Sequence, residues 1–575
     1  MLKHALALCL TAAMAVLAAK AQSTQPIQSR PYPVDIFRYP IDLPPSTAGS
    51  FGELRPNHFH SGLDFRTNQR EGYPVHAVYD GYVSRLRVQF GGFGNAVYVT
   101  HPNGFTSVYG HLQRFAPELE RFVREQQRIQ QKDIVDFTLT PFQLPVAKGQ
   151  VIAISGNTGG SAGPHLHFEL RDANTEETIN AQLFGLTIAD HIPPAISAIA
   201  VYRLNGQPFS ERTSRAYYPI TGASGNYHLM NQQVVTIGRD AGLGIVCDDR
   251  NSASANHNGI YSLELKLDGT TIYTYAVERF AFDQTHAINA YIDYPAYQTS
   301  RRFIQKCFIL PGSKINLYPQ NINRGIIQLN DDEVHEVTYI VKDIAGNTST
   351  LNLKVKAGAR DMSPAPPEGS TRFKYDQVNN FTADNNRLQL TIPQGNLYDD
   401  LDFTFGILPK HTGAYSATYK LHNRLTPIHG SYEIRIKPDS TIGALAAKAV
   451  IFNTVSGCEG GNYEDGYVKA HVHDFGEFYV RLDTIPPVVR PINLINGGSM
   501  AGKSKMSFRI SDNLSGIQSY IGKIDGQWVL MEWDYKTKIL NYTFDAGLAP
   551  GKHHLELVVR DYKDNTTQYT ADFYR

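Results

Sequence analysis

The clearest alternation of polar and apolar positions in this chain lies at residues 165–170. Successive side chains of a β-strand point to opposite faces of the sheet, so the pattern predicts a strand whose leucine and phenylalanine side chains face a core. His165, His167 and Glu169 then share the other face. A glycine-rich stretch, residues 156–163, precedes the strand and predicts a turn.

Short apolar or alternating runs, such as residues 96–100 and 555–559, recur along the chain and predict further strands. Aromatic residues make up 11% of the chain, many of them tyrosine, which favours β-strands. A chain of 575 residues is too long for one hydrophobic core and predicts three to five domains. We therefore expect a mainly β protein with several modules.

Two segments share three motifs in the same order. Each opens with Ile-Pro-Pro, at residues 192 and 485, continues with G-I-x-S-x-x-x-K-x-D-G, and closes with D-x-x-[GD]-N-T. The repetition predicts two related β modules, residues 192–358 and 485–575, which resemble immunoglobulin-like or fibronectin-like sandwiches. A proline-rich linker at 363–370 follows the first of these modules and precedes a third β module, residues 370–484, in which we recognise no family signature.

One segment of the first part of the chain has a helical pattern. Apolar and long polar residues recur there at three- and four-residue steps, at Phe115, Leu119, Phe122, Gln126 and Ile129. Pro117 is suited to a helix start. We expect a helical insertion at about 114–135, which either packs on its domain or forms a wall or lid of a binding groove.

The first 21 residues are typical of an export signal. Lys3 and His4 precede an apolar run, residues 5–19, and Ala19-Lys20-Ala21 suits cleavage before Gln22. Cys9 lies inside the apolar run and is a poor candidate for lipid attachment. No other segment reaches membrane-spanning length, so we expect an exported protein without an integral membrane segment.

Charge and cysteine content narrow the choice of partners and covalent bonds. Lys plus Arg and Asp plus Glu both number 54, so no overall field favours nucleic acid or an anionic membrane. After signal removal an odd set of cysteines remains, which does not indicate a disulfide framework. Cys247 and Cys307 fall in one predicted module, where they either pair or stay free.

Candidate chemistry concentrates in three segments before residue 172. His60 and Asp64 stand in one short segment, the pair His165 and His167 in another, and His111 follows the run at 96–100 between them. Two imidazoles and one carboxylate, with a position left for water, form a typical catalytic zinc set. The H-x-H spacing alone is equally compatible with ordinary core histidines.

The order of these segments is more specific than any one of them. H-x-x-x-D at 60–64, Y-G-H-L at 109–112, G-N-T-G at 156–159 and P-H-L-H-F-E at 164–169 together resemble the lysostaphin-type (LytM-like) zinc metallopeptidases. The resemblance covers about residues 51–172 and places a peptidase domain at 22–188, with an open antiparallel β-sheet. It implies zinc ligands His60, Asp64 and His167, and non-ligating catalytic histidines His111 and His165.

The resemblance also implies a function. We expect an exported zinc metalloendopeptidase of a bacterium, periplasmic or at the cell surface, that hydrolyses stem or cross-link peptide bonds of peptidoglycan. The alternatives are a non-catalytic regulator of other cell-wall hydrolases, whose mark would be a lost ligand, and an adhesin. The later modules either act as spacers or dock the enzyme on the cell wall or a partner protein.

Other polar residues have weaker patterns. Glu169 either orients a zinc ligand or is a solvated or salt-bridged strand residue. We expect His58 to be a wall residue, and His471 and His473 to have no metal role. Asp248–Asn251 and Asp512–Ser515 lack the full ligand series of a calcium loop, so we expect them to cap their own turns.

Overall fold

The computed structural model describes residues 26–231, 233–359, 365–544 and 547–575. The predicted signal peptide and the first two residues of the predicted linker lie outside these ranges. The protein is mainly β, with 45% of residues in strands and 9% in helices, as predicted. Within the described ranges, no helix is long and apolar enough to cross a membrane.

The first part of the chain forms an antiparallel sheet, which confirms the predicted fold class. Its main path, in spatial order, is Thr47–Gly49, Leu63–Arg66, His165–Asp172, Phe105–Gly110, Ala96–Thr100, Gly81–Val88 and Val135–Thr138. Pro145–Val146 adds to the strand Gly81–Val88, and Thr178–Ile179 adds to His165–Asp172. Leu166, Phe168 and Leu170 are fully buried, as their alternation predicts.

A smaller sheet covers part of the first. It consists of Pro74–His76, Val151–Ser155 and Leu112–Phe115, in that spatial order, and a separate hairpin pairs Leu54–Arg55 with His58–Phe59. The chain passes from the large sheet to the small one at His111, between the strands Phe105–Gly110 and Leu112–Phe115. This crossing point lies at the site described below.

An α-helix spans Pro117–Gln130 inside the predicted insertion, with Pro117 in its first turn. Its buried residues are Leu119, Val123 and Gln127, whereas Ile129 is 67% exposed. The face predicted from the sequence was therefore wrong by about one residue after Leu119. Gln127 is buried because its side-chain amide donates to the carbonyl of Asp133 at 2.6 Å.

The next segment forms one large sheet. Its spatial order is Gln305–Lys306, Asp240–Asp248, Ala195–Arg203, Ser214–Ala223, Asn226–Leu229, Thr348–Ala357, Val334–Lys342, Ser262–Leu267, Thr270–Ala276 and Gln320–Asn321. Val235–Ile237 pairs with the strand Thr348–Ala357, and Ile327–Gln328 pairs with the strand Asp240–Asp248. The same unit contains the short helices Ile288–Tyr291 and Tyr294–Ser300. Cys247 and Cys307 are both buried, and both are free thiols.

Two further β units follow, each with its own hydrophobic cluster. The first unit has two five-stranded sheets and one strand pair. One sheet has the spatial order Asn379–Ala383, Leu388–Ile392, Tyr432–Ile436, Tyr467–Val472 and Asn462–Glu464, and the pair is Thr371–Phe373 with Leu401–Phe403. The other sheet has the order Phe405–Leu408, Thr418–Leu421, Gly476–Leu482, Ala449–Asn453 and Gly457–Gly460. The second unit has a four-stranded sheet with the spatial order Val488–Pro491, Lys505–Ser511, Ile539–Thr543 and Met531–Asp534. Its five-stranded sheet has the order Gly498–Ser499, Thr566–Tyr574, Lys552–Asp561, Ile517–Ile524 and Gln527–Val529. The immunoglobulin-like character predicted for residues 192–358 and 485–575 stays a prediction.

The first sheet and the large sheet that follows share one hydrophobic core. Thr178–Ile179 pairs with Arg279–Phe280, so a strand of the second unit extends the first sheet. The ring of Phe280 lies 5.0 Å from that of Phe51 and 5.9 Å from that of Phe59. Isolated residues 22–188 would expose this apolar surface, so experiments on the first unit should use the full chain.

We expect Phe280→Ala to lower the midpoint of thermal unfolding by at least about 6 °C, because it opens a cavity in the shared core. Phe142→Ala, at a side chain that is almost fully exposed, is the matched control and should leave the midpoint unchanged. Calorimetry of both full-length variants checks the expectation. Equal midpoints would show that the two units do not depend on this contact.

Candidate metal centre

Three donor atoms meet at one point on the first sheet. Asp64 lies directly opposite His167 on neighbouring strands, and His60 comes from the loop before the strand of Asp64. Asp64 Oδ1 is 3.1 Å from His60 Nε2 and 2.9 Å from His167 Nδ1, and the two nitrogens are 3.1 Å apart. All three side chains are buried. The structure thus brings together the three predicted ligands.

The other polar atom of each donor side chain is held by a neighbour. His60 Nδ1 donates to the carbonyl of Ser50 at 2.7 Å, and His167 Nε2 donates to Glu169 Oε1 at 2.9 Å. Asp64 Oδ2 accepts from Arg55 Nη2 at 2.6 Å. Because these partners fix the outer atoms, one nitrogen of each histidine and one carboxylate oxygen are left to face each other. Two imidazoles and a carboxylate supported in this way fit a zinc ion.

Electrostatics favour a cation between the three donors. Burial lowers the pKa of His60 to about 4, so its imidazole is neutral at physiological pH. Burial opposes charge on His167, but hydrogen bonds to Asp64 and Glu169 outweigh it and raise its pKa to about 9. A proton on His167 Nδ1 occupies the lone pair that a metal ion needs, so the two compete.

A glycine makes the close approach of the two strands possible. A side chain at Gly62 would place its Cβ 2.4 Å from the carbonyl oxygen of Phe168 and 2.9 Å from the ring of His167. No real Cβ tolerates such contacts. Gly62 lies between His60 and Asp64, so the H-S-G-L-D segment carries both the ligands and the space they need.

Glu169 contacts a predicted ligand and is also salt-bridged, so it is not solvated and both remaining interpretations left open by the sequence hold together. Its side chain is fully buried, and Oε1 accepts hydrogen bonds from His167 and from the Ser61 hydroxyl at 2.5 Å. Oε2 accepts from Arg171 Nε at 2.6 Å. Burial opposes its charge, but Arg171 and His167 outweigh that effect and lower its pKa to about 2. His58 is exposed and contributes no donor atom to the triad.

We expect Glu169→Gln to weaken zinc binding by about 10- to 100-fold, because an amide cannot replace a carboxylate as acceptor from both His167 and Arg171. Competition with a zinc chelator of known affinity measures the change. Glu71→Gln, at an exposed glutamate, is the control and should bind as the parent does. Equal affinity in Glu169→Gln would show that Glu169 does not support the ligand.

The two predicted non-ligating histidines lie beside the triad. His165 Nδ1 donates to the carbonyl of Gly163 at 2.8 Å, and its Nε2 is 3.4 Å from Asp64 Oδ1. His111 Nδ1 donates to the carbonyl of Thr158 at 2.8 Å, and the two rings are 4.7 Å apart. Both imidazoles therefore have Nε2 as the nitrogen available for proton exchange.

His111 has an unusual backbone. Its φ is +58°, in the left-handed region that a non-glycine residue adopts with strain. The strain turns the chain from the large sheet into the small one and directs the imidazole toward His165. Burial lowers the pKa of His111 to about 3, so the ring is neutral and can accept a proton.

Several residues of the site had no sequence signal. Ser50 binds His60 through its backbone carbonyl, which any residue type supplies. Arg55 reaches Asp64 only because the hairpin that contains Arg55 folds back toward the strand of Asp64. Phe93 stacks on His167 with ring centres 4.9 Å apart. His471 and His473, by contrast, belong to none of the metal-capable clusters found in the described part of the chain.

The last β unit returns to the site. Lys536 Nζ donates to the carbonyls of Asn157 and Ser161, at 2.9 and 2.7 Å, in the glycine-rich loop that also holds His111 and His165. Trp533 packs edge-on against Phe90. Glu532 binds Arg124 of the helix at 2.7 Å, so the helix and the last unit together flank the site.

Sequence comparisons agree with this geometry. Residues 58–138 match the family model described as Peptidase family M23. This chain contains an M23 peptidase domain. Residues 370–483 match the model described as a Zu5-like domain, in the region where sequence reasoning recognised no family.

Relatives resemble the M23 domain region. An uncharacterized metalloprotease of Haemophilus influenzae is 33% identical over 141 residues, 23% of this chain and 24% of the relative. The DD-carboxypeptidase/endopeptidase Mpg of Neisseria meningitidis is 35% identical over 112 residues, 20% of each chain. The matches thus span about a quarter or less of these relatives. The catalytic domain of lysostaphin from Staphylococcus simulans is 23% identical over 24% of this chain and 91% of that domain, with a TM-score of 0.19.

Proposed function

We propose that this protein is an exported zinc metalloendopeptidase that hydrolyses peptide bonds in the stem peptides or cross-links of peptidoglycan. One observation carries the proposal: His60, Asp64 and His167 converge beside two imidazoles whose proton positions are fixed. The M23 match and the names of the relatives, which include DD-endopeptidases, support the substrate class. The predicted signal at 1–21 supports a location in the periplasm or at the cell surface.

His60, Asp64 and His167 would hold a zinc ion, which would supply the Lewis acidity needed to activate water and to polarise a peptide carbonyl. The residues of this chain do the remaining work. His165 and His111 each have Nδ1 tied to a carbonyl, so Nε2 can accept the proton of the attacking water or return it to the leaving amine. The second imidazole can instead stabilise the developing oxyanion.

The walls of the groove come from distant segments. In the glycine-rich loop 157–161, the carbonyl of Thr158 accepts from His111, and the carbonyl of Asn157 accepts from Lys536 of the last β unit. We propose that the last β unit forms part of the substrate groove. This assigns that unit a role close to the site rather than only that of a remote spacer.

The regulator alternative would require a lost ligand. Here all five predicted positions are present, and the donor atoms of His60, Asp64 and His167 meet, with the other nitrogens of the two histidines held by neighbours. This arrangement favours the enzyme.

Metal removal and return tests the proposal. Full-length protein treated with a chelator should lose hydrolysis of purified peptidoglycan, and about one equivalent of zinc should restore it. Calcium or magnesium at the same concentration serves as the control and should not restore activity. Activity that persists after zinc is shown to be absent would contradict the proposal.

A further inference from the structure

Three carboxylates meet at the junction between the M23 domain and the next β unit. Asp190, Asp249 and Asp343 come from three segments far apart in sequence, yet one oxygen of each lies within 4.8 Å of the others. Asp249 and Asp343 are buried. Charges of one sign are rarely buried together without a compensating ion.

The junction between the module at 370–484 and the last β unit has the same arrangement, at the matching positions of the repeat. Asp483, Asp512 and Asp561 also bring one oxygen each within 4.8 Å. Asp190 and Asp483 each stand two residues before Ile-Pro-Pro, and Asp343 and Asp561 each open D-x-x-[GD]-N-T. Asp249 and Asp512 each directly follow a strand, Asp240–Asp248 and Lys505–Ser511. The fold thus builds this cluster twice.

Buried oxygens without hydrogen-bond partners lie beside the first cluster, around a cavity that two of its aspartates also line. Asn251 and Asn258 are each 6% exposed, and they line a cavity of about 30 Å³ together with Asp190 and Asp249. Among the residues that the structure describes, Oδ1 of both asparagines and Oδ1 of Asp249 have no hydrogen-bond partner. Buried oxygens are normally satisfied, and a cavity of this size accommodates one ion or water.

The second cluster has the same feature. Asp483 is 1% exposed, and its Oδ1 has no hydrogen-bond partner in the described ranges; the same holds for Asp512 Oδ1. Asp512 Oδ2 accepts from the backbone amides of Leu514 and Gly516 at 3.0 and 2.8 Å. The turn capping predicted for this segment is therefore present, and it leaves the other oxygen for the cluster.

The two clusters differ in how far their negative charge is compensated. In the first, burial and the neighbouring carboxylates raise the pKa of Asp249 to about 8, and burial raises that of Asp343 to about 6. Burial also raises the pKa of Asp190. In the second, the buried Lys563 ammonium acts on Asp483 and Asp561 and partly compensates them. The first cluster therefore has the greater need for a cation.

We propose that Asp190, Asp249 and Asp343, with the amide oxygens of Asn251 and Asn258, bind one Ca²⁺, and that Asp483, Asp512 and Asp561 bind a second. All the donors are oxygens, which suits a hard cation and not zinc. Ca²⁺ accepts six to eight oxygen ligands in flexible geometry, whereas Mg²⁺ keeps most of its waters. The donor number in the first cluster therefore favours Ca²⁺.

The first site lies close to a support of the zinc ligands. The backbone amide of Gly259, next to Asn258, donates to the hydroxyl of Ser50 at 2.9 Å. The carbonyl of Ser50 holds His60 at 2.7 Å. Ca²⁺ in the first site thus stabilises the junction on which the position of His60 depends.

Titration of zinc-loaded full-length protein with Ca²⁺ tests the proposal. Calorimetry and equilibrium dialysis should give two Ca²⁺ per chain, with Kd values of about 10⁻⁵ to 10⁻³ M, and Ca²⁺ should raise the unfolding midpoint by about 3 °C or more. Absence of binding at about 10 mM Ca²⁺ would overturn the proposal. An equal effect of Mg²⁺ at the same concentrations would overturn the assignment to calcium.

Asparagine variants locate the two sites. The pair Asp249→Asn and Asp343→Asn should lose one Ca²⁺ and gain stability in its absence, because it removes repulsion. The pair Asp512→Asn and Asp561→Asn should lose the other. Asp248→Asn, next to Asp249 but outside the cluster, is the control and should bind two. Unchanged stoichiometry in both pairs would overturn the sites, and if a pair fails to fold, the stoichiometry of the parent protein still decides.

Discussion

Replacing Asp64 by alanine is expected to remove most of the zinc and to lower peptidoglycan hydrolysis roughly a thousandfold or more. Asp64 Oδ1 lies within 3.1 Å of both ligand nitrogens, so its loss leaves two imidazoles and no compensating negative charge. Its loss also removes the carboxylate that binds Arg55 Nη2, so this guanidinium group keeps only Glu53 as its acidic partner. Elemental analysis of the purified full-length variant gives the zinc content, and release of soluble fragments gives the activity.

The control for this variant is Asp42→Ala, at an exposed aspartate of the same domain. It should keep about one zinc per chain and the rate of the parent protein. Full zinc content in Asp64→Ala would show that the ligand assignment is wrong. Lost zinc with unchanged hydrolysis would show that the metal does not serve the reaction.

Alanine at His165 or at His111 is expected to separate metal binding from catalysis. Each variant should keep its zinc but lose activity by roughly a hundredfold or more, the usual effect of removing a general acid or base. The reason is geometric: both rings lie beside the triad with Nδ1 held by a carbonyl, and neither supplies one of its three donor atoms. Zinc content and initial rates on the same preparations check the expectation.

His58→Ala is the matched control, because His58 is exposed and near the site but contributes no donor atom to the triad. It should change the rate little. If either His165→Ala or His111→Ala hydrolyses peptidoglycan at the parent rate, that histidine is only a wall of the groove. Loss of zinc in either variant would instead assign it to metal binding.

The local pattern predicted the centre of the site well. Alternation at 165–170 placed His165 and His167 on one face and put Leu166 and Phe168 in the core, where both are fully buried. The role of Glu169 stayed open because it depends on Ser61 and Arg171, which reach the carboxylate only after the strands pair. The alternation of side chains along a strand is a local pattern, whereas the hydrogen-bond partners of a side chain such as Glu169 depend on tertiary contacts.

The long-range contacts had no local signature. Lys536 reaches the loop at 157–161 because whole β units pack together, and Phe280 enters the first core through strand pairing. The helix face was misjudged for a related reason. Burial follows Leu119, Val123 and Gln127 at four-residue steps, because Gln127 finds a buried carbonyl partner that its polarity does not reveal.

The aspartate clusters show the same limit. The segments 248–251 and 512–515 each lack the full ligand series of a contiguous calcium loop, so neither predicted a cation site. The structure assembles each cluster from three segments, so the ligands become neighbours only in the folded β unit. The repeated motifs marked two of the three positions in each unit without revealing that they meet.

Mass spectrometry of peptidoglycan digested by the zinc-loaded full-length protein tests the central claim most directly. The account predicts new soluble fragments whose masses correspond to hydrolysis of one peptide bond in the stem or cross-link, absent from a parallel digest with Asp64→Ala. An unchanged fragment profile with protein that holds its zinc, or fragments that arise from cleaved sugar bonds, would contradict it.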